Sequence, residues 1–232
     1  TTRLAAGDST LYPGQGTPGQ AQNLSVSSGA VLDLAGNAQL VGLFVAPNNN
    51  NYANTAGTIT SASPALFAVR TTSNDQLFGG SITGAITNVQ AGSGTKWFLA
   101  DNTYTGSTAI LSGTMVLSDA GRLTATAGID LNYGGILSLR NTGQFDVADR
   151  VPTSAPIVLR GGQLDYQGRA QTVSAETLGA VTLAGGVSDI RIVPGGTGVN
   201  SAALTLTSLT PAGGALNVRS NSATLGLPGS NP

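Results

Sequence analysis

The chain has 232 residues and a formal net charge of −1, and only 9% of its residues are charged. So few charges provide no basic surface for phosphates, which argues against a nucleic-acid partner. Hydrophobic residues make up 40% of the chain, enough to fill a core, while Glu176 and Lys96 are its only glutamate and lysine. With 33 glycines and many Ser, Thr and Asn residues, this composition favours strands and turns over helices.

The first part of the chain alternates short strand patterns with loops. Residues 1–22 contain two prolines and several glycines, which predicts an irregular lead-in or cap. Residues 23–34 and 39–45 show apolar alternation typical of strands. The asparagine run at 48–51 predicts an exposed loop, with an asparagine-rich binding loop as the alternative.

Residues 92–117 predict three strands joined by two turns. Asp101, Asn102 and Gly106 are residues that suit the turn positions. Trp97 is the only tryptophan. We expect it to be a large core residue or to cover one end of the core, rather than to bind a ligand.

One short phrase returns between residues 111 and 218: two small residues, a free position, then an apolar, a free and an apolar residue. The five copies begin at Ser112, Gly134, Gly161, Gly185 and Gly213. Successive copies start 22, 27, 24 and 28 residues apart, so the period is about 25 residues. The copy at Gly185 is weaker because Ser188 takes an apolar position, and a looser copy lies at residues 28–34. A second alternating run precedes each pair of small residues.

This repeat predicts an all-β fold, a parallel β-helix (β-solenoid) of roughly nine turns of about 25 residues. Each unit is a strand, a corner of small residues, a second strand and a variable loop, and each strand pairs with its equivalent one turn away. Glycine suits the corner because a positive φ or a close backbone approach excludes a β-carbon. The alternative is a β-sandwich with glycine-rich turns, but sandwich strands need not repeat one phrase at one spacing.

Two sets of residues follow from this register. The corner glycines are Gly113, Gly134, Gly135, Gly161, Gly162, Gly185, Gly186, Gly213 and Gly214. The residues predicted to point into the core are Leu117, Leu137, Leu139, Leu164, Ile190, Leu216 and Val218. Residues 1–232 are thus interpreted as one β-helix fragment, with residues 219–232 as a linker-like tail and the whole chain as an excised piece of a longer protein.

The segment 92–139 resembles the passenger-associated repeat of bacterial autotransporters. The resemblance rests on Gly-x-Gly-Thr from Gly92, on Asn-Thr-Tyr-Thr-Gly at residues 102–106, and on Ser-Gly-Thr-Met-x-Leu at residues 112–117. It continues through Gly121, Leu123 and the pair at Gly134. Met115 departs from the leucine usual in the repeat, a conservative exchange in a core. The strict match covers about a tenth of the chain, and the weaker glycine periodicity covers about half.

The resemblance implies a right-handed parallel β-helix on the surface of a Gram-negative bacterium, exported through the periplasm and outer membrane. It also implies a separate C-terminal β-barrel translocator in the full-length protein. In this family the repeat is tied to secretion and folding rather than to catalysis. It therefore gives Asn102, Tyr104 and Gly106, with the corner glycines, a structural role.

The sequence offers little for catalysis. Without histidine or cysteine there is no Ser-His triad, thiolate nucleophile or zinc cluster, and no cofactor motif is present. Carboxylates are the only candidates, since cleavage of a sugar chain needs two carboxyls roughly 5 to 10 Å apart. Asp146 and Asp149 are close in sequence. Asp165 and Asp189 fall at equivalent positions of successive repeats, so stacking predicts them to be about 5 Å apart.

Those two aspartates belong to a candidate surface ladder of Ser138, Asp165, Asp189 and Asn217. The favoured interpretation is a solvated face without catalytic activity. The main hypothesis is therefore a structural stalk and adhesin that acts in adhesion, self-association and biofilm formation, with a host-surface or glycan ligand as a possible partner. The alternative is a β-helix glycosidase or lyase acting on polysaccharide.

Overall fold

The computed structural model describes residues 1–3, 7–8, 23–44, 52–70, 72, 76–196 and 201–220 of the chain. Within these residues every regular element is a β-strand and there is no helix. The strands are β1 Thr2–Arg3, β2 Asn23–Leu24, β3 Val31–Asp33, β4 Gln39–Val41, β5 Leu43–Phe44, β6 Thr58–Arg70, β7 Gln76–Phe78, β8 Ser81–Ala91, β9 Thr95–Phe98, β10 Asp101–Asn102, β11 Thr108–Ile110, β12 Gly113–Leu117, β13 Arg122–Leu123, β14 Ile129–Asn132, β15 Gly135–Arg140, β16 Ile157–Arg160, β17 Gln163–Gln167, β18 Val173–Gly185, β19 Val187–Val193, β20 Ser201–Pro211 and β21 Ala215–Ser220.

Every pair of these strands is parallel, which confirms the predicted all-β solenoid. The first sheet has ten strands and follows the order β1-β3-β6-β8-β11-β14-β16-β18-β20, with β4 also paired to β6. The second sheet has seven strands in the order β21-β19-β17-β15-β12-β9-β7. Two further two-stranded pairs are β10-β13 and β2-β5. The described residues therefore form a stack of about seven turns.

The length of one turn varies along the stack. In the second sheet Trp97 lies opposite Val116, 19 residues later, whereas Ile190 lies opposite Val218, 28 residues later. The strands of the second sheet are three to seven residues long, whereas strands of the first sheet reach 13 residues, so the turns differ in both strand and loop length. The predicted period of about 25 residues is an average over these unequal turns.

Several turns contain a third strand segment in addition to the two that the sequence predicts. The third segment lies within the predicted variable loop, where β10 pairs with β13. Its ladder continues through single backbone bonds, such as Leu123 N–H to Arg150 O at 2.8 Å. A strand of two residues is too short to show a periodic pattern in the sequence, so the residues of β10 and β13 were predicted to lie outside strands.

The pairs of small residues form the corner between the first and second sheets. Each pair contains one glycine with positive φ, for example 71° at Gly113 and 81° at Gly134. The second glycine is required by space at Gly135, where a Cβ would lie 2.3 Å from the carbonyl oxygen of Ile110, and at Gly162, where it would lie 2.8 Å from Leu131, but not at Gly185. The corner thus requires glycine for two separate reasons.

The core lies between the sheets and is filled by alternate residues of each strand. In β17 the pattern is regular: Leu164 and Tyr166 are buried, while the residues between and beside them are partly exposed. Leu117, Leu137, Leu139, Leu164 and Ile190 are buried as predicted. Leu216 is partly buried against the core. Val218 is 47% exposed although it lies opposite buried Ile190, because β21 is the last strand of its sheet in the described residues.

Only parts of the two predicted terminal segments are described. Of the predicted irregular lead-in, Thr2 and Arg3 form β1, which pairs in parallel with β3. Of the predicted tail, Arg219 and Ser220 belong to β21. The remaining tail residues and the asparagine run at 48–51 lie outside the described residues.

Candidate functional site

The Asn-Thr-Tyr-Thr-Gly segment builds the interior of one turn. Asn102 is fully buried and completes the short third ladder, since its Oδ1 accepts the backbone N–H of Ile82 at 3.0 Å. Its amide nitrogen donates to the carbonyl of Ala100 at 2.9 Å. A side chain therefore supplies hydrogen bonds that a longer strand would take from its backbone.

The tyrosine of the same segment anchors a chain of buried hydroxyls. The hydroxyl of Tyr104 lies 2.6 Å from that of Thr108, which lies 2.9 Å from the hydroxyl of Thr126. Thr126 in turn donates to the carbonyl of Gly106 at 3.1 Å. A Cβ on Gly106 would lie 2.3 Å from the carbonyl oxygen of Ile86. These residues hold neighbouring turns together, and they line no open site.

The predicted neighbour relation between Asp165 and Asp189 is wrong. Asp165 lies opposite Arg191, and Asp189 lies opposite Gln163. The register differs from the phrase alignment by two residues, which keeps each side chain on its face and sets Ile190 against Leu164 in the core. The candidate ladder is therefore two separate pairs, Ser138 with Asp165 and Asp189 with Asn217.

Ser188 explains why the weaker repeat copy is displaced. This residue is 1% exposed, and its hydroxyl accepts the backbone N–H of Gly161 at 3.0 Å. A serine at this point satisfies a polar group of the corner, whereas the phrase alignment would set it opposite Leu164 in the core.

Six aspartates of the described residues are paired with arginines of adjacent turns. Arg122 donates to both carboxylate oxygens of Asp101, at 2.8 and 2.7 Å, and reaches Asp149 at 3.4 Å. The hydrogen bonds that Arg122 donates to Asp101 raise the pKa of Arg122 above its usual range. Further pairs are Arg3–Asp33, Arg160–Asp130, Arg191–Asp165 and Arg219–Asp189. No group of three or more Asp or Glu residues in the described residues is arranged to hold a metal ion.

A buried polar cluster lies inside the stack near residue 150, and no pattern in the sequence predicts it. Arg150 is fully buried and donates to Asn141 Oδ1 at 2.8 Å, to the carbonyl of Gly121 at 2.6 Å and to that of Asp119 at 3.1 Å. Glu176 is 1% exposed, and its two carboxylate oxygens accept the backbone N–H groups of Arg150 and Val151, both at 3.3 Å. The hydrogen bonds of this cluster continue the third ladder across two adjacent turns.

Burial shifts both charged groups of this cluster toward their neutral forms. Burial raises the pKa of Glu176 to about 7, against the opposing effect of its two backbone hydrogen bonds. Burial lowers the pKa of Arg150 to about 10. Glu176 is thus a carboxyl that titrates near neutral pH, but it lies in the interior of the stack, away from the groove described below.

We expect Glu176 to make the stability of the fold depend on pH. Its pKa rises from 4.5 in the unfolded chain to about 7 in the folded one, so the folded state binds more protons between these values. The free energy of unfolding should therefore fall by about 3 kcal/mol between pH 4.5 and 7 and then stay level. Urea unfolding across this range should show the slope, and Glu176→Gln should lack it. An equal slope in both proteins would contradict the assignment.

The outer face of the second sheet carries a groove of about 510 Å³. It crosses strands β9, β12, β15, β17 and β19. The lining residues are Thr95, Trp97, Thr114, Ile136, Ser138, Arg140, Gln163, Asp165 and Arg191. Ser138, Asp165 and Arg191 occupy one row of this face, and Gln163 occupies the next. This groove is the candidate functional site.

Trp97 lies in this groove, so its predicted place in the core is wrong. In β9 the buried residues are Lys96 and Phe98, and Trp97 between them is only partly buried. The Arg140 guanidinium carbon lies 4.9 Å from the centre of the Trp97 ring. Val116, next to Trp97 on the following turn, is fully buried yet is not part of the core cluster. Trp97 thus belongs to a packed layer on the outer face of the sheet.

The single lysine, Lys96, points into the core, where the tryptophan was predicted to lie. Lys96 is fully buried, with Nζ 5.3 Å from the centre of the Phe78 ring and 5.8 Å from that of Phe98. Burial lowers its pKa well below the usual range. Alternation could have revealed this inversion, because Phe98 continues the apolar row of Leu117 and Leu139 and fixes the side on which residue 96 must lie.

The chain matches no protein-family model, no curated protein and no solved structure. Among the described residues there is no helix long and apolar enough to cross a membrane. The features of the chain that bear on function are therefore the stack, the groove and the repeat segment.

Proposed function

We propose that this chain is a stalk-like, adhesive segment of an autotransporter passenger, displayed outside a Gram-negative bacterium. The observation that supports it best is the stack itself, in which parallel sheets of ten and seven strands run through successive turns. The buried roles of Asn102 and Tyr104 agree with the structural role that the resemblance implies. The proposal includes right-handed winding, roughly nine turns in all, a C-terminal β-barrel translocator, no cofactor and no nucleic-acid partner.

Adhesion follows from the repetition of weak surface groups along such a stack. Neighbouring turns lie about 4.8 Å apart, so Thr, Gln, Asp and Arg side chains recur in rows. Each contact is weak, and aligned contacts add up through effective concentration. The net charge of −1 gives little repulsion between copies. We therefore include self-association, either along a polar face or end to end.

The last described turn supports end-to-end association. Leu209 is 45% exposed and Val218 is 47% exposed, although both continue rows that are buried in preceding turns. Apolar side chains exposed in this way favour contact with a further turn, either of this protein or of a second copy.

The polysaccharide-cleaving alternative has less support. Asp165 and Asp189, the predicted carboxylate pair, lie opposite other residues and form ion pairs with Arg191 and Arg219. Glu176 has the raised pKa of a general acid, but it is used inside the stack by two backbone N–H groups. We propose no catalytic role for the chain.

Display on living cells tests the proposal directly. The chain is fused to an autotransporter barrel on a Gram-negative bacterium, and cell settling and attachment to a surface are measured. We expect folded chain to increase both. The matched control displays the same chain carrying Leu137→Asp at equal surface density, which should give neither effect because the stack is lost. If cells that display the unaltered, protease-resistant chain stay dispersed and do not adhere, the proposed function is wrong.

A further inference from the structure

We propose that the groove on the second sheet binds a carboxylate-bearing polysaccharide of the polyuronate type, with Arg140 pairing with a sugar carboxylate. This inference rests on the proposed adhesive function and names its ligand class. Its starting point is a cation that the surrounding side chains hold in place without neutralising.

Arg140 is that cation. Its guanidinium lies over the Trp97 ring, and its Nε donates to the hydroxyl of Ser138 at 3.3 Å. Within the described residues no carboxylate lies within ion-pair distance of it, whereas five other arginines each have an aspartate partner. The ring and the hydroxyl fix the guanidinium plane, so little freedom is left to lose on binding.

The one carboxylate of the groove is already engaged. Asp165 accepts from Gln163 Nε2 at 2.7 Å and lies 3.5 Å from Arg191 Nη2. Its charge is balanced by Arg191, which leaves the groove with the positive charge of Arg140. This remaining positive charge favours a ligand that carries an anion.

The other lining groups indicate a sugar polymer. Thr95, Thr114 and Gln163 offer hydroxyl and amide groups that donate and accept as sugar hydroxyls do. The partly exposed Trp97 ring offers an apolar surface next to them. The groove crosses several turns, so an extended polymer meets a new row of side chains about every 4.8 Å.

An acidic peptide fits this place less well. A peptide strand binds a sheet by adding to an open edge, where backbone N–H and C=O groups are free. The groove lies on the face of the sheet, over strands such as β15 that are paired on both sides. Only side chains are available here, and these match a polysaccharide.

Calorimetry with purified chain tests the ligand class. The probes are polygalacturonate, its fully methyl-esterified form, neutral dextran, dextran sulfate and poly-glutamate. We expect measurable binding of polygalacturonate, at least about tenfold weaker binding of the ester, and at least about tenfold weaker binding of polygalacturonate by Arg140→Gln, because a charge-assisted pair is lost. Trp97→Leu should also weaken binding. Arg160→Gln is the matched control, since Arg160 pairs with Asp130 in the first sheet and should bind normally.

Several outcomes would overturn the inference. The first is that the ester or dextran binds as tightly as polygalacturonate, and the second is that poly-glutamate or dextran sulfate binds equally tightly through Arg140. The third is that an Arg140→Gln protein with native melting binds polygalacturonate normally. The fourth is that polygalacturonate does not bind at all. If the displayed chain still causes adhesion in these cases, only the proposed ligand class is rejected and the proposed adhesive function stands. If displayed chain neither adheres nor aggregates while polygalacturonate binds through Arg140, the proposed function fails and the groove remains a binding site.

Discussion

Replacing Leu137 by aspartate should abolish the folded stack or destabilise it by more than about 4 kcal/mol. Leu137 is fully buried in the centre of the second sheet, between Met115 and Leu164 on the adjacent turns. An aspartate there would place an unpaired carboxylate among apolar side chains, and two turns would lose their contacts. The measurement is the urea unfolding midpoint, with circular dichroism as the readout.

Ile136→Asp provides the matched control. Ile136 is the preceding residue of β15 and is partly exposed on the outer face, so both variants place aspartate in the same strand. Their difference isolates the effect of burial from that of strand propensity. We expect Ile136→Asp to cost about 1 kcal/mol or less. Equal unfolding midpoints for the two variants would contradict the register of the second sheet.

Replacing Arg150 by alanine should cost about 3 to 5 kcal/mol. The substitution leaves Asn141 Oδ1 and the carbonyls of Gly121 and Asp119 without their donor, in a part of the interior that solvent does not reach. It also creates a cavity where the largest fully buried side chain stood. Thermal and urea unfolding are the measurements.

Arg160→Ala is the comparison for this prediction. Its side chain is 48% exposed and its ion pair with Asp130 is open to solvent. Exposed pairs of this kind contribute about 1 kcal/mol or less. If Arg150→Ala unfolds at the same midpoint as Arg160→Ala, the buried cluster does not stabilise the stack as described.

The repeat phrase was sufficient to predict the fold because it reports two strong local constraints. A glycine is needed wherever the chain turns with positive φ, as at Gly134 and Gly161, and apolar residues must alternate on strands that face a core. Both constraints recur each turn, so they leave a periodic trace. The third strand segment leaves none where it is two residues long, as in β10 and β13, or where Asn102 and Glu176 supply bonds that backbone would otherwise make.

The candidate site was harder to predict because it depends on which face a residue occupies. Trp97 and Lys96 are adjacent, and side-chain type alone suggested that the tryptophan lies inside and the lysine outside. The structure has the reverse, since Phe98 must continue the apolar row of Leu117. The displacement of Asp189 has a different origin: a shift by two residues preserves the faces, so side-chain alternation does not distinguish the two registers, and the polar Ser188 at an apolar position was the only local sign of the shift.

The direction of the hydrogen bonds between turns has a mechanical consequence. These bonds run along the axis of the stack, and each turn contacts mainly its immediate neighbours. Tension on the two ends of a stalk therefore loads one turn at a time, as in opening a zipper, and the bonds of other turns stay intact. A turn of about 25 residues occupies about 4.8 Å of the axis when folded and extends to about 85 Å when pulled out. Under the proposed function, a bacterium tethered by such a stalk in flowing liquid would absorb sudden drag by extending one turn after another, and its distant contacts would be spared the peak force.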